Sequence, residues 1–411
     1  MRAKIKKYDG PSISGKIQVT GSKSESNRLL ILQALYPNLT IRNLSNSDDS
    51  VVLAKGLTQH TGMVDIHHAG TAMRFLTAYF ASQEGRDVVL TGSKRMQERP
   101  IGVLVDALRQ LGADITYETN EGFPPLRIRG KKLMKSRVSV QADMSSQYIS
   151  ALMLIASSLP NGLKIELEGK VTSVPYIEMT LSLLHRLGIQ GDFKENVIAI
   201  TSKESIADME LTVESDWSSA SYFYSIASLT RANITLGSYR QESLQGDSKL
   251  THMAKELLGV STGFDTREQT MELRTYGFYD PKTTIELDLS DTPDIAQTIA
   301  VARFGMGYGC HLTGLHTLKI KETDRLVALK TELEKLGARV DITADSLTLY
   351  PSEEIKQDVT IDTYNDHRMA MAFAPLALRV PMIINDAEVV SKSFPTFWDD
   401  LKLLGFEIEL Q

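Results

Sequence analysis

The sequence predicts a mixed α/β protein of two domains built from six repeated units, and three observations carry that reading. The chain has 411 residues, 42% of them hydrophobic and 23% charged, which makes it globular and too long for one ordinary core. Five amphipathic stretches end in Leu-Gly and pass at once into a short strand pattern, at Gly112, Gly188, Gly259, Gly337 and Gly405; a glycine there suits the left-handed position after a helix end. Between them lie alternating runs such as RVSVQA, LKIELEG, NVIAIT, TIELDL and SLTLY, which turn at Gly, Asn or Asp as strands do. The glycines recur about 70 residues apart, too long for a solenoid and long enough for a small α/β unit. A weaker copy, AKGLTQHTGMVDI, ends at Gly62 and brings the units to six, three per domain. No Pro-rich or Gly/Ser-rich linker divides the halves, so short hinges are expected.

Taken in order, the helix starts carry an unusual number of cations. In GSKSESNRLLILQAL, Ser22 and Glu25 have capping-box spacing, with Lys23 in the first turn and Arg28 one turn later. HAGTAMRFLTAYF reads as a second start, with Gly70 allowing close backbone approach and Arg74 in the first turn. GSKRMQERPIG places Arg99 before Pro100, a residue that suits a first helical position. ADMSSQYISALMLIAS and ESDWSSASYFYSIAS echo one another; Ser145, Ser146 and Gln147 offer neutral donors beside free amides. TSVPYIEM adds Ser173 and Tyr176 on a Pro-containing turn.

In SDTPDIAQTIAVA, Thr292 reads as a cap, Pro293 as first turn, and Asp294 follows. In KIKETDRLVALKTELEKLG, Lys321 and Arg325 fall four apart near a helix start, where like charges repel and oppose the dipole, with Glu322 and Asp324 only partly compensating. TYNDHRMAMAFAPLAL places Asn365 or Asp366 at a cap, then His367 and Arg368; SKSFPTFW adds Lys392. Each motif alone also reads as an ordinary capped helix with solvated cations. Together, Lys23, Arg28, Arg74, Arg99, Arg325, Arg368 and Lys392 point to a polyanionic ligand, because a helix N-terminus already carries partial positive charge.

The net charge of −6 argues against a general nucleic-acid or anionic-membrane binder, so these positive sites are local and suit a small ligand. The single cysteine, Cys310, provides no internal disulfide and no cysteine-based metal cluster, the pattern of a reducing cytoplasm. The opening residues MRAKIKKYDG lead into no apolar segment, and no apolar run reaches spanning length. A cytoplasmic chain without nucleic-acid or membrane partners is expected.

The ordered series GSKSESNR, AGTAMR, RMQERPIG, SSQ, SVPY, SDWSSASYF, TPDIAQT, KETDR, NDHRMAMA and SKSFP resembles the 5-enolpyruvylshikimate-3-phosphate synthase (3-phosphoshikimate 1-carboxyvinyltransferase) family of enolpyruvyl transferases, from about residue 10 to the end. The resemblance implies two globular domains of three βαβαββ units each, residues 1–20 with 215–411 and residues 21–214, with the active site in the cleft between them and domain closure on ligand binding. It implies transfer of the enolpyruvyl group of phosphoenolpyruvate to the 5-hydroxyl of shikimate 3-phosphate, with release of phosphate, by a monomer that needs no metal or organic cofactor. Carried over motif by motif, shikimate 3-phosphate is expected to meet Lys23, Ser24, Arg28, Ser145, Ser146, Gln147, Ser173, Tyr176, Asp294, Thr317 and Lys321. Phosphoenolpyruvate is expected to meet Lys23, Gly70, Arg99, Gln147, Arg325, Arg368 and Lys392. Asp294 is the expected base, Glu322 the proton donor to C3, and Lys23 the aid to the leaving phosphate.

Three departures stand out: His68 and Thr317 where the family usually has Asn, and Phe75 where Pro is common. The segment between Asp49 and Gly70 is also shorter than usual, so a strand or part of a helix is expected to be missing there. UDP-N-acetylglucosamine enolpyruvyltransferase shares fold and donor, but its active-site Cys loop has no counterpart here. RNA 3′-phosphate cyclase is a distant architectural relative, and a non-catalytic anion-binding homologue would keep the cleft; retention of Lys23, Asp294 and Glu322 together speaks against the latter.

Overall fold

The computed structural model describes residues 1–141, 145–169, 171, 174–277 and 284–411 of the chain. It separates into two compact units, Met1–Thr20 with Glu214–Gln411 and Gly21–Val213, so the chain crosses between them twice.

One local pattern generates both units. Ile285–Asp288 pairs in parallel with Cys310–Thr313 across the helix Ala296–Met306; the helix Arg325–Lys335 then leads into the hairpin Val340–Ile342 and Leu347–Leu349, which closes the sheet in antiparallel fashion. This is a βαβαββ unit, with a helix as the crossover that a parallel pair requires. The same order builds the sheets around Asp87–Thr91 and Leu163–Glu168 in the second unit, and around Ala232–Gly237 and Met382–Asn385 in the first. In the last of these the closing strand is Arg2–Ile5, which pairs with Met382–Asn385 and Ile408–Leu410 and so ties the chain's start into the first unit.

The sixth sheet is different. Leu39–Arg42 follows the helix Lys23–Leu35 and pairs in parallel with Met209–Thr212 from the far end of the unit, and the helix Asp48–Leu57 comes next, but no hairpin closes this sheet among the described residues. The chain instead passes directly into Thr61–Asp65, the first strand of the next sheet. The short segment before Gly70 thus lacks a two-stranded hairpin.

Five of the six glycines in the pattern follow a helix, and all six have positive φ, 88° at Gly62. Gly112, Gly188, Gly259, Gly337 and Gly405 all have positive φ, from 64° to 102°, where a Cβ would clash with the backbone. Gly62 is the exception, because it does not end a helix but lies within the strand Thr61–Asp65. Three further expectations are corrected. Pro100 does not open a helix, since Ile101 is the cap and Gly102 the first residue. Thr292 makes no side-chain cap bond to the short turn Pro293–Ile295. Tyr176 lies in the first turn of the helix Val174–Arg186 rather than in an irregular turn.

Helices pack on one another inside each unit. Every residue of Trp217–Leu229 is buried, as are nearly all of Gly70–Ser82; helices apolar all round belong in an interior. The repeat has a consequence for function. First helices begin at Lys23, Gly70 and Ser146 in one unit and at Trp217, Ala296 and His367 in the other; second helices begin at Asp48, Gly102 and Val174, and at Leu250, Arg325 and Phe397. Nearly every residue singled out from the sequence lies at one of these starts, beyond the carboxyl ends of strands, where open α/β sheets bind ligands.

Candidate active site

In the unit Gly21–Val213, the helix caps are uncharged. Ser22 Oγ accepts from Glu25 N at 3.4 Å and Ser145 Oγ from Gln147 N at 3.2 Å, while Ala69 offers no side-chain cap to the helix Gly70–Ser82. Free amides and dipole therefore remain available to an anion. Cations gather at the same starts. Lys23 Nζ lies 3.7 Å from Asp49 Oδ2.

Arg28 is 3% exposed. It donates to Thr180 Oγ1 (2.8 Å), Ser24 O (2.8 Å), Ser150 Oγ (2.9 Å) and Tyr176 O (3.4 Å), all neutral acceptors. Its guanidinium stands 5.6 Å from the Phe75 ring centre and 5.7 Å from that of Tyr176. The Phe75 departure thus puts an aromatic face beside a buried cation. Burial lowers the Arg28 pKa to about 10, with Tyr176 and Glu25 only partly opposing.

Arg74, also buried, donates to Gly70 O at 3.1 Å and Pro100 O at 3.2 Å and so joins the Gly70 turn to the Arg99–Pro100 turn. Burial and then repulsion from Arg99 lower its pKa to about 10. Among the described residues no carboxylate lies within salt-bridge distance of Arg28 or Arg74. Arg99 comes so close to Gly70 that a Cβ on that glycine would lie 2.6 Å from Arg99 Nη1. Gln147 Nε2 reaches Thr71 Oγ1 at 3.3 Å. Lys23, Arg28, Gly70, Arg99 and Gln147 are thus brought together with Ser24, Ser145, Ser146 and Tyr176 at neighbouring starts, whereas Ser173 lies outside the described residues. His68, the second departure, places Nε2 3.7 Å from Asp48 Oδ2.

The other unit balances its cations with acids. Arg325 is 2% exposed and sits among three carboxylates: Nη1 to Asp294 Oδ1 at 2.9 Å, Nη2 to Glu322 Oε2 at 2.8 Å and Nε to Asp366 Oδ2 at 2.6 Å. Burial works against its charge, but Asp366, Glu322 and Asp294 outweigh burial and raise its pKa. Arg368 Nη2 pairs with Asp294 Oδ2 at 3.0 Å, and its Nη1 donates to Asp294 O at 3.0 Å. Its pKa is likewise raised, with Asp294 overcoming burial. Lys321 Nζ stands 3.8 Å from Asp294 Oδ1; although Asp294 raises its pKa, burial and Arg325 prevail and the amine is lowered.

Lys321 is not on the helix with Arg325, as its spacing suggested. The helix begins at Arg325 with Asp324 as its cap, and Lys321 follows the short turn His316–Ile320. The misfit of two cations on one helix end is resolved by acids from elsewhere in the chain. Lys392 Nζ donates to Asn365 O, beside Arg368. The Thr317 hydroxyl is buried with no hydrogen-bond partner.

Three acids escaped the sequence reading as site members. Asp366 read only as a helix cap and Asp49 only as the edge of the shortened segment, and their partners Arg325 and Lys23 are remote in the chain. Asp247, just before the helix Leu250–Leu258, is buried, and burial followed by Asp294 pushes its pKa up to about 7, against the pull of Arg368. Only an acidic residue near a helix start signalled them.

The two clusters have different chemistry. One offers four cations and free helix amides, with Asp49 beside Lys23 and, among the described residues, no carboxylate within salt-bridge distance of Arg28 or Arg74. The other holds Asp294 and Glu322 on one guanidinium, with their orientation fixed by Arg325, Arg368 and Lys321. Such a set can bind phosphate and carboxylate groups and move protons beside them.

Six small sheets in two units, five of them mixed and one a parallel pair, are the architecture of enolpyruvyl transferases. An EPSP synthase from Acinetobacter baumannii has the same fold, with TM-score 0.79, 20% identity and full coverage of both chains. The enolpyruvyl transferase NikO from Streptomyces tendae has it too, with TM-score 0.75, 13% identity and 99% and 98% of the two chains covered. The chain belongs to the EPSP synthase (3-phosphoshikimate 1-carboxyvinyltransferase) family, whose model matches residues 40–401. A 3-phosphoshikimate 1-carboxyvinyltransferase of Bacteroides fragilis is 45% identical over 403 residues, 97% of each chain. One of Burkholderia vietnamiensis is 37% identical over 426 aligned residues, 96% of this chain and 97% of that one. Among the described residues no helix is long and apolar enough to cross a membrane.

Proposed function

We propose that this protein is a 3-phosphoshikimate 1-carboxyvinyltransferase that moves the enolpyruvyl group of phosphoenolpyruvate to the 5-hydroxyl of shikimate 3-phosphate. The relatives favour this acceptor over UDP-N-acetylglucosamine. The observation that carries the reading is the pair of carboxylates, Asp294 and Glu322, on the one buried guanidinium of Arg325. Anion binding alone has no use for two acids among its cations.

Each substrate carries a phosphate and a carboxylate, so bringing them together in a poorly solvated site is costly unless fixed cations are already in place. Shikimate 3-phosphate is assigned to Lys23, Ser24, Arg28, Ser145, Ser146, Gln147, Ser173, Tyr176, Asp294, Thr317 and Lys321. Phosphoenolpyruvate is assigned to Lys23, Gly70, Arg99, Gln147, Arg325, Arg368 and Lys392. The two clusters would then serve a single substrate pair.

In the addition step, the 5-hydroxyl oxygen bonds to C2 of phosphoenolpyruvate while its proton passes to Asp294, and Glu322 gives a proton to C3. The tetrahedral adduct then loses phosphate from C2 and a proton from C3 back to a carboxylate. Lys23 steadies the departing phosphate. Fixed charges aimed at the developing anions supply the stabilisation.

The test is phosphate release with phosphoenolpyruvate and shikimate 3-phosphate, repeated with UDP-N-acetylglucosamine. Release with the first acceptor alone is the expected result. Tight binding of both substrates without release would overturn the reading.

A further inference from the structure

We infer that the Tyr364–Glu332 hydrogen bond is a positioning device for the cations Arg368 and Lys392, an inference that rests on the reading just proposed. Glu332 lies two turns along the helix that begins with Arg325, and its side chain is fully buried. Its Oε2 is already satisfied: Lys335 Nζ donates to it at 2.8 Å and Asp362 N at 3.1 Å. The other oxygen, Oε1, accepts the Tyr364 hydroxyl at 2.6 Å. Lys335 also bonds Asp362 Oδ2 at 2.8 Å, so Glu332 has a charge partner, shared with Asp362, without the tyrosine. The Tyr364 ring is 38% exposed, and ring burial is therefore not what fixes it. The hydroxyl bond is the side-chain anchor of a segment whose backbone is also tied by Asp366 N donating to Thr363 O at 2.8 Å.

What that anchor holds is an improbable backbone. Tyr364 and Asn365 have φ of 53° and 59°, two consecutive non-glycine residues in the left-handed region. This is the conformation of a tight two-residue turn, which Glu195 and Asn196 (φ 49° and 61°) also adopt between two paired strands, and which non-glycine residues enter at a cost. The strained pair leads straight into the site: Asn365 O accepts Lys392, Asp366 Oδ2 accepts Arg325 Nε, and Asp366 Oδ1 accepts Arg368 N at 2.9 Å. One face of the Arg325 helix thus grips this segment at both ends, through Arg325 and Glu332. Released at Tyr364, the segment would let Asn365 relax and carry Lys392 and Arg368 off their phosphate and carboxylate targets. Tyr364 and Glu332 need touch no substrate.

The test compares steady-state kinetics and melting temperature of wild type, Tyr364→Phe and Glu332→Gln. For Tyr364→Phe the KM for phosphoenolpyruvate should rise about tenfold, the loss expected of one hydrogen bond to a charged group. Its KM for shikimate 3-phosphate should stay within about twofold and its melting temperature within about 2 °C. Glu332→Gln keeps a partner for the hydroxyl but loses the Lys335 charge pair, so its melting temperature should fall while its KM for phosphoenolpyruvate changes less than about threefold. An unchanged KM for phosphoenolpyruvate in Tyr364→Phe overturns the inference and leaves the functional reading intact. So does a parallel shift of both KM values with the melting temperature, which is the mark of a merely structural bond. A wild-type chain without turnover overturns the reading itself and the inference with it.

Discussion

Replacing Arg28 with Met should leave the stability of the ligand-free protein close to or above that of wild type while destroying its affinity for shikimate 3-phosphate. Arg28 is a buried cation whose hydrogen-bond partners are all neutral. A pKa of about 10, set against an ordinary guanidinium, corresponds to about 3 kcal/mol of penalty on the charged form. Met fills similar volume and removes that penalty. Its departure leaves little unsatisfied, because Thr180 Oγ1 still donates to Tyr176 O at 2.8 Å and can accept from Ser150 Oγ at 3.2 Å. Lost hydrogen bonds cost about 1 kcal/mol each, so the ligand-free change should fall between about −2 and +1 kcal/mol of destabilisation. Binding behaves oppositely: truncating one partner of a buried charge pair costs about 3 kcal/mol or more, which is a hundredfold or greater loss. Urea denaturation and titration calorimetry with shikimate 3-phosphate measure the two quantities. Affinity within threefold of wild type, or a ligand-free destabilisation beyond about 2 kcal/mol, would refute the idea that this charge is held in readiness for an anion.

Other perturbations probe different parts of the two clusters. Asp294→Asn and Glu322→Gln should each lower kcat by about 10²- to 10⁴-fold if they transfer protons; pre-steady-state phosphate release measures this, and an unchanged rate removes the role of that residue. Gly70→Ala places a Cβ 2.6 Å from Arg99 Nη1. The flexible end of Arg99 can yield, so the protein should fold normally while the KM for phosphoenolpyruvate rises about tenfold to a hundredfold. Asp247 has a folded-state pKa raised from 3.8 to about 7. The folded state therefore binds the proton more tightly than the unfolded one, and this group's contribution to stability falls as pH rises through that window. Asp247→Asn should flatten the decline by about 4 kcal/mol in denaturation series between those pH values, and a slope identical to wild type would contradict the assignment.

Local chemistry made much of the fold legible. A glycine after an amphipathic run can be read as a helix end because the required conformation is local, and Gly112, Gly188, Gly259, Gly337 and Gly405 all adopt it. Gly62 misled because a glycine inside a strand carries the same letter. The positions of Lys23, Gly70, Ser145, Asp294, Arg325 and Arg368 at or beside helix starts followed from capping residues, and the repeat then gathers those starts within each unit. The charge pairing could not be read in the same way. Asp366 meets Arg325 from 41 residues away, a contact fixed by packing of the Arg325 helix against the segment before His367. For that reason Lys321 and Arg325 looked like an only partly compensated pair, when Arg325 pairs with three carboxylates. The asymmetry between a cation-rich cluster and an acid-balanced one likewise exists only in three dimensions.

The central claim is that these clusters join two anionic metabolites and transfer a carboxyvinyl group. Phosphorus NMR of the wild-type protein with phosphoenolpyruvate and shikimate 3-phosphate tests it most directly. Inorganic phosphate and a new shikimate-derived phosphate resonance should grow together, and only when both substrates are present. Phosphate appearing from phosphoenolpyruvate alone, or spectra that stay unchanged with both substrates bound, would contradict it.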